Sequence, residues 1–146
     1  GAGELKRAKA GPRYGLIMGF TVMVIILVPM MIFAPQLTAL FNDDREVIEF
    51  GTLFVRLCSP FYVAFVINQV YSGALRGAGD AKNTMYIMLF SFVVFRQIYL
   101  FIVSRLGADA GVIALGYPMG WMMCSALLLI YYYKGHWARR LNLVKD

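Results

Sequence analysis

Arg96 is the residue whose type and position make the greatest chemical demand on this chain. It lies inside an apolar stretch running from Met85 to Ser104, with Gln97 beside it. Counted from a helix start near Thr84, it is ~12 residues in, or ~18 Å at 1.5 Å per residue. That is close to the middle of a ~30 Å hydrocarbon layer. A cation there costs at least ~2.5–3.5 kcal/mol. Helical side chains lean toward their own N-terminus, which carries Arg96 back through the apolar layer instead of out of it. Arg96 therefore faces a wet cavity, pairs across helices, or anchors to backbone carbonyls. A second polar group is Asn68, Gln69, Tyr71 and Ser72, near the end of another apolar run. Asn68, Tyr71, Ser72 and Leu75 share one helical face, so this stripe faces something other than lipid. It either lines a polar pathway or hydrogen-bonds between helices as packing glue. Asn68, Gln69, Tyr71, Ser72, Arg96 and Gln97 are the candidates for a substrate pathway.

The acids narrow the chemistry. They are Glu4, Asp43, Asp44, Glu46, Glu49, Asp80, Asp109 and Asp146, and none lies deep within an apolar run. Ion-coupled transport needs a buried carboxylate, so the coupling residue is expected outside this chain. No Ser/His/Asp set, metal-ligand cluster or phosphate loop is present. Gly77-Ala78-Gly79-Asp80 has no strand before it and no GK[ST] after it. No enzyme, catalytic residue, metal or cofactor is expected. Cys58 and Cys124 match no redox or metal spacing and read as small apolar fillers. The lone His136, beside Trp137, reads as an interface residue.

The elements that must position these residues are membrane spans. Of 146 residues, 60% are hydrophobic and 15% charged, far from the roughly one quarter charged of soluble domains. Residues 1–13 form a basic lead-in. Spans are expected over 14–41, 47–75, 84–104 and 109–133, with a turn at 76–83 and a tail at 134–146. Gly15 and Gly19 hint at close helix contact. Pro29, Pro35 and Pro60 predict kinks or early helix ends. Gly116-Tyr117-Pro118-Met119-Gly120 signals another. Asp43 or Asp44 is positioned to cap the second run, and Asp80, Asn83 or Thr84 the third. Gly77 and Gly79 suit the left-handed backbone that ends a helix. Gly1-Ala2-Gly3-Glu4-Leu5-Lys6 echoes Gly77-Ala78-Gly79-Asp80-Ala81-Lys82, as two hairpins of one orientation would.

Charge then orients the bundle. Lys and Arg total 14. Most lie in the lead-in, the central turn and the tail; Arg45 and Arg105 lie in the other loops, and Arg56 and Arg96 within spans. The positive-inside bias makes the basic side, including the C-terminus, cytoplasmic. Arg56 snorkels easily to the outer interface. The expected surroundings are the lipid bilayer of a plasma (inner) membrane, crossed several times, and no nucleic acid.

Tyr71-Ser72-Gly73-Ala74-Leu75-Arg76-Gly77-Ala78-Gly79-Asp80-Ala81-Lys82 resembles the multidrug and toxic compound extrusion (MATE) family. Gly1 to Ala8, Leu40 to Asp44 with Val47-Ile48, and Phe95-Arg96-Gln97 with Gly135-His136-Trp137 add to the likeness. The resemblance implies an all-α membrane protein: four transmembrane helices from the partial C-terminal lobe of a twelve-helix transporter, helices nine to twelve. It implies a fragment of a secondary antiporter that exports small cationic or amphiphilic compounds in exchange for H+ or Na+. The ion would bind mainly outside this chain, and the missing N-terminal part of the transporter would be its partner. One position departs. The sodium-coupled branch carries an Asp about three turns before the Leu-Arg-Gly, and here Phe61 to Gln69 holds no acid.

Three other readings compete. A small four-helix exporter would need a Glu in its first helix, and Tyr14 to Phe41 has none. A lipid or oligosaccharide flippase of the same superfamily suits an acid-free lobe with cations in its spans. A structural membrane subunit that transports nothing is the third.

Overall fold

The computed structural model describes residues 5–107 and 109–134. The echo at Gly1–Glu4 and the tail features His136, Trp137, Arg139, Arg140 and Lys145 lie outside them. The described residues contain helices and no strand. Four helical stretches are long and apolar enough to cross a membrane: Ala10–Ile32, Arg45–Gly77, Ala81–Arg105 and Gly111–Lys134. The chain is an all-α membrane protein.

A break follows the first stretch, and each of the other three carries one within it. Helix α1 runs Leu5–Ile32, so the basic lead-in is itself helical from Leu5. It stops well short of Phe41, and a short α2 follows at Ala34–Ala39. Pro35 has no N–H to give the carbonyl four residues back, and the chain turns at Phe33 before resuming. Helix α3 spans Arg45–Cys58; Asp44 caps it by accepting the Glu46 N–H at 3.0 Å. A 3-10 turn at Ser59–Phe61 holds Pro60, and α4 continues over Tyr62–Gly77. The third stretch is α5 at Ala81–Leu89, a π-helical segment at Phe90–Phe95, and α6 at Arg96–Arg105. The fourth is a short α7 at Ala110–Ala114 and α8 at Gly116–Lys134, parted at Leu115 three residues before Pro118. Proline accounts for three of these breaks. The π segment contains none.

The centre of the bundle is α4 packed on α8, with α1 on the far side of α4 and the third stretch against α8. Leu75 and Leu128 are fully buried at this seam beside Cys124, with Tyr71 and Tyr132 at one end. Cys58 and Cys124 are both buried and free. Gly15 and Gly19 of α1 do lie close to α4: an added Cβ would meet Val70 at 3.1 Å and Val66 at 2.8 Å. Ser125 donates its hydroxyl to the Ala64 carbonyl, tying α8 to α4.

The turn after α4 is a Schellman cap. The Asp80 N–H reaches the Leu75 carbonyl at 2.9 Å and the Gly79 N–H reaches Arg76 at 3.0 Å. In this turn Gly79 takes the positive-φ backbone, at φ 96, whereas Gly77 closes α4 in helical conformation. Asp80 stands at the N-cap of α5 without making a side-chain cap bond. Thr84 instead back-bonds to the Asp80 carbonyl at 2.8 Å.

A Cβ at position 79 would meet the penalty for a left-handed backbone, ~1–2 kcal/mol. Gly79→Ala is therefore expected to lower the thermal stability of the full-length protein by about that amount. Gly77→Ala, at a helical position with open space around it, should leave stability unchanged or raise it.

Candidate functional site

The sequence candidates separate into three places. Asn68, Tyr71 and Ser72 lie together on the α4 face that meets α8, with exposures of 0%, 6% and 0%. The i, i+3, i+4 spacing brings them there with Leu75. Tyr71 and Tyr133 share a hydrogen bond between hydroxyls at 3.0 Å. Ser72 donates to the Gln69 carbonyl at 3.2 Å and accepts from the Arg76 guanidinium at 3.3 Å. Asn68 differs: both its amide atoms are buried, and neither has a hydrogen-bond partner among the described residues. An unpaired buried polar group costs about 1–3 kcal/mol. Asn68 in this structure is thus not the glue that a hydrogen bond between helices would make it.

Gln69 points elsewhere. It is exposed and lines a groove of about 320 Å³ between α1 and α4, whose walls include Met23, Leu27, Met30, Phe65 and Val70. Nearby, Tyr62 and Phe65 pack against Trp121 at ring separations of 5.2 and 5.5 Å. The groove is almost wholly apolar.

Arg96 and Gln97 open α6, on the third stretch. Gln97 is exposed and Arg96 half-buried. Because the helix starts at Ala81, Arg96 is about 22 Å from that end and about 14 Å from the end at Arg105. Its guanidinium lies over the ring of Tyr117 on α8, 3.8 Å from the centroid. Phe54 of α3 braces that ring edge-on at 5.8 Å and 89°. The pairing is across helices, and no carboxylate or carbonyl bonds to Arg96 among the described residues. A desolvated cation–π contact returns about 2 kcal/mol against the ~2.5–3.5 kcal/mol cost of the buried cation. Most, but not all, of the cost is met.

The π segment decides which way Arg96 faces. It amounts to one inserted residue, so everything downstream is rotated by about 100° relative to an unbroken helix. Ser91, fully buried, lies within the segment. Tyr99, one turn after Arg96, donates its hydroxyl to the Val112 carbonyl at 2.8 Å. Gly116 makes room for that ring, since a Cβ there would lie 3.1 Å from it.

Sequence reasoning did not single out two groups. Tyr117 appeared only within a glycine-proline kink signal. Asp80 was read as a turn residue, yet it is 7% exposed. Asn83 donates to one of its carboxylate oxygens at 2.8 Å and Tyr131 donates to the other; Asn83 also donates to the Tyr131 oxygen at 2.9 Å. The i, i+3 spacing of Asp80 and Asn83 was a usable signal. The third partner, 51 residues away, was not.

A family model described as MatE matches residues 1–102. Among curated proteins, the chain is 29% identical over 106 residues to "Probable multidrug resistance protein YpnP" of Bacillus subtilis (strain 168), covering 73% of this chain and 24% of that protein. It is 31% identical over 94 residues to "Probable multidrug resistance protein NorM" of Pasteurella multocida (strain Pm70), covering 64% of this chain and 20% of that one. The chain thus spans about a fifth to a quarter of these relatives' length. No solved structure matches it.

Two substitutions follow from the geometry. Tyr131→Phe removes a hydrogen bond to a charged group and is expected to cost about 1.5–3 kcal/mol of stability, measured as thermal unfolding of the full-length protein. Asn68→Leu removes an unpaired buried amide and should hold or raise stability in the same assay. A loss there would mean that the amide is paired.

Proposed function

This chain belongs to the MatE family, and from that membership we propose that it forms part of a secondary multidrug efflux transporter. The observation that carries the reading is the pair of relatives named as multidrug resistance proteins, each matched over more than half of this chain. The substrates are small cationic or amphiphilic compounds, exchanged for H+ or Na+. The described spans hold no buried carboxylate, since Glu46 and Glu49 at the start of the second are exposed, so the coupling site is supplied by the rest of the protein. The distribution of Lys and Arg supports a plasma (inner) membrane location with a cytoplasmic C-terminus. Asn68, Gln69, Tyr71, Ser72, Arg96 and Gln97 remain the pathway candidates. Of these, Asn68, Gln69 and Gln97 have side-chain amides without a hydrogen-bond partner among the described residues, free for a substrate or for water. Binding and release, with no covalent step, is all that these side chains provide for.

A flippase of an anionic lipid-linked substrate is the second reading. It is favoured by Arg56 and Arg96, which lie within spans and make no ion pair among the described residues.

The test is efflux of a fluorescent lipophilic cation from cells that express the full-length protein. Wild-type protein should lower accumulation, and collapse of the proton or sodium gradient should abolish the effect. Arg96→Ala should reduce the efflux rate by about tenfold or more, equivalent to ~1.4 kcal/mol, with expression intact. Asn68→Leu should reduce it while the protein stays folded. Normal efflux by both variants would remove these residues from the pathway. No efflux by wild-type protein, with transfer of a labelled anionic lipid between leaflets, would favour the flippase.

A further inference from the structure

We propose that Arg96 is an oxyanion-receiving site inside the membrane, whose guanidinium closes on a carboxylate carried by another span of the longer protein. Three observations converge on it. First, Tyr117 occupies one face of the guanidinium at 3.8 Å, and Phe54 holds that ring in place. A guanidinium seated on an aromatic ring keeps its N–H groups in its own plane, clear of the contact. Second, none of those N–H groups has a hydrogen-bond or ion-pair partner among the described residues, although Arg96 is half-buried within a span. Third, among the described residues the acids Asp43, Asp44 and Asp109 are exposed and outside the spans, Glu46 and Glu49 are exposed in the first turns of the second span, and Asp80 is taken up by Asn83 and Tyr131 near the opposite end of the third stretch. The counter-charge therefore comes from outside this set.

A planar fork of N–H donors matches the two oxygens of a carboxylate. Charged side chains in membranes pair with one another or face water. The relatives' length leaves about three quarters or more of such a protein to supply the acid. A lipid phosphate has the same fork-matching chemistry but sits at the membrane interface. Arg96 lies about 14 Å in from the nearer helix end, which favours a side chain carried on a neighbouring span. The stacked ring makes the site a rigid one: Arg96 is aimed before its partner arrives, and Tyr117 acts as a positioning residue.

The experiment uses the full-length protein in lipid nanodiscs, and reads folding stability, so it does not depend on transport. Arg96→Gln should lower the melting temperature by several degrees. Each Asp or Glu within the other spans is then changed to Asn or Gln, alone and together with Arg96→Gln. One acid should reproduce the loss alone and add nothing in the double variant, the non-additivity of groups in contact. Arg96→Lys, which keeps the charge without the fork, should restore only part of the stability. If single variants do not fold, exchanging the two charges between the positions should recover folded protein. The proposal is overturned if Arg96→Gln melts like the wild type, or if no acid couples to it. It is equally overturned if wild-type protein retains an anionic phospholipid, seen by mass spectrometry, that Arg96→Gln releases, since a phosphate would then fill the fork.

Discussion

In a bilayer, apolar side chains gain nothing by leaving lipid for one another, so helices stay together through close packing and hydrogen bonds. The α4–α8 seam meets that requirement along its length, and the other helices are arranged around it. Leu75 and Leu128 fill it, while Ser72 and Cys124 keep it narrow. Polar ties recur from one end to the other: Ser125 to the Ala64 carbonyl, Tyr71 to Tyr133, and Tyr131 to Asp80. The last is at the turn. The charged string Leu75 to Lys82 is therefore more than a reversal held on one side of a membrane. Its carboxylate is built into the bundle.

The backbone breaks fit the same constraint. Hydrocarbon offers no partner to an unpaired peptide group, so irregular backbone survives there only where protein or water satisfies it. Ser59, beside Pro60, back-bonds to the Val55 carbonyl at 2.7 Å, and Thr38 does the same to Ala34 at 2.8 Å. Ser91 bonds the Ile87 carbonyl at 2.9 Å within the π segment. Hydroxyl side chains thus stand where the helix is locally altered.

What the sequence made legible was whatever a single residue or a short spacing could carry. The four spans, the glycine contacts of α1, the cap at Asp44 and the kinks at Pro35 and Pro60 all belong to that kind. So did the cost of Arg96, which follows from its charge and depth alone. The relations between distant segments were not legible. Nothing in Phe90–Phe95 announces a π-helix, since it holds no proline or glycine, and yet it reorients Arg96. Tyr117 and Tyr131 are ordinary aromatic residues in an aromatic-rich helix until the fold brings them to Arg96 and Asp80. The stripe of Asn68, Tyr71 and Ser72 was visible as one face. That it faces α8, with the Asn68 amide unpaired, is a property of packing. Gln69, grouped with them by adjacency, belongs to a different surface, because neighbours in a helix diverge by about 100°.

Helix α1 has an uneven attachment with a mechanical meaning. None of its membrane-length window is buried, and its close approach to the bundle is at Gly15 and Gly19 against the methyl groups of Val70 and Val66. No side-chain hydrogen bond from its described residues crosses to another helix; Thr21 bonds back to Ile17 within α1 itself. The contact between glycine and valine is close but carries no directional bond, unlike the hydroxyl and carboxylate ties that fix α8. Within this bundle α1 is held to α4 by packing, and α8 is held to α4 by packing and hydrogen bonds together. The Gln69 groove opens at that unbonded contact, whereas Arg96, Tyr117 and the Asp80 turn lie on the hydrogen-bonded side of the bundle with α8.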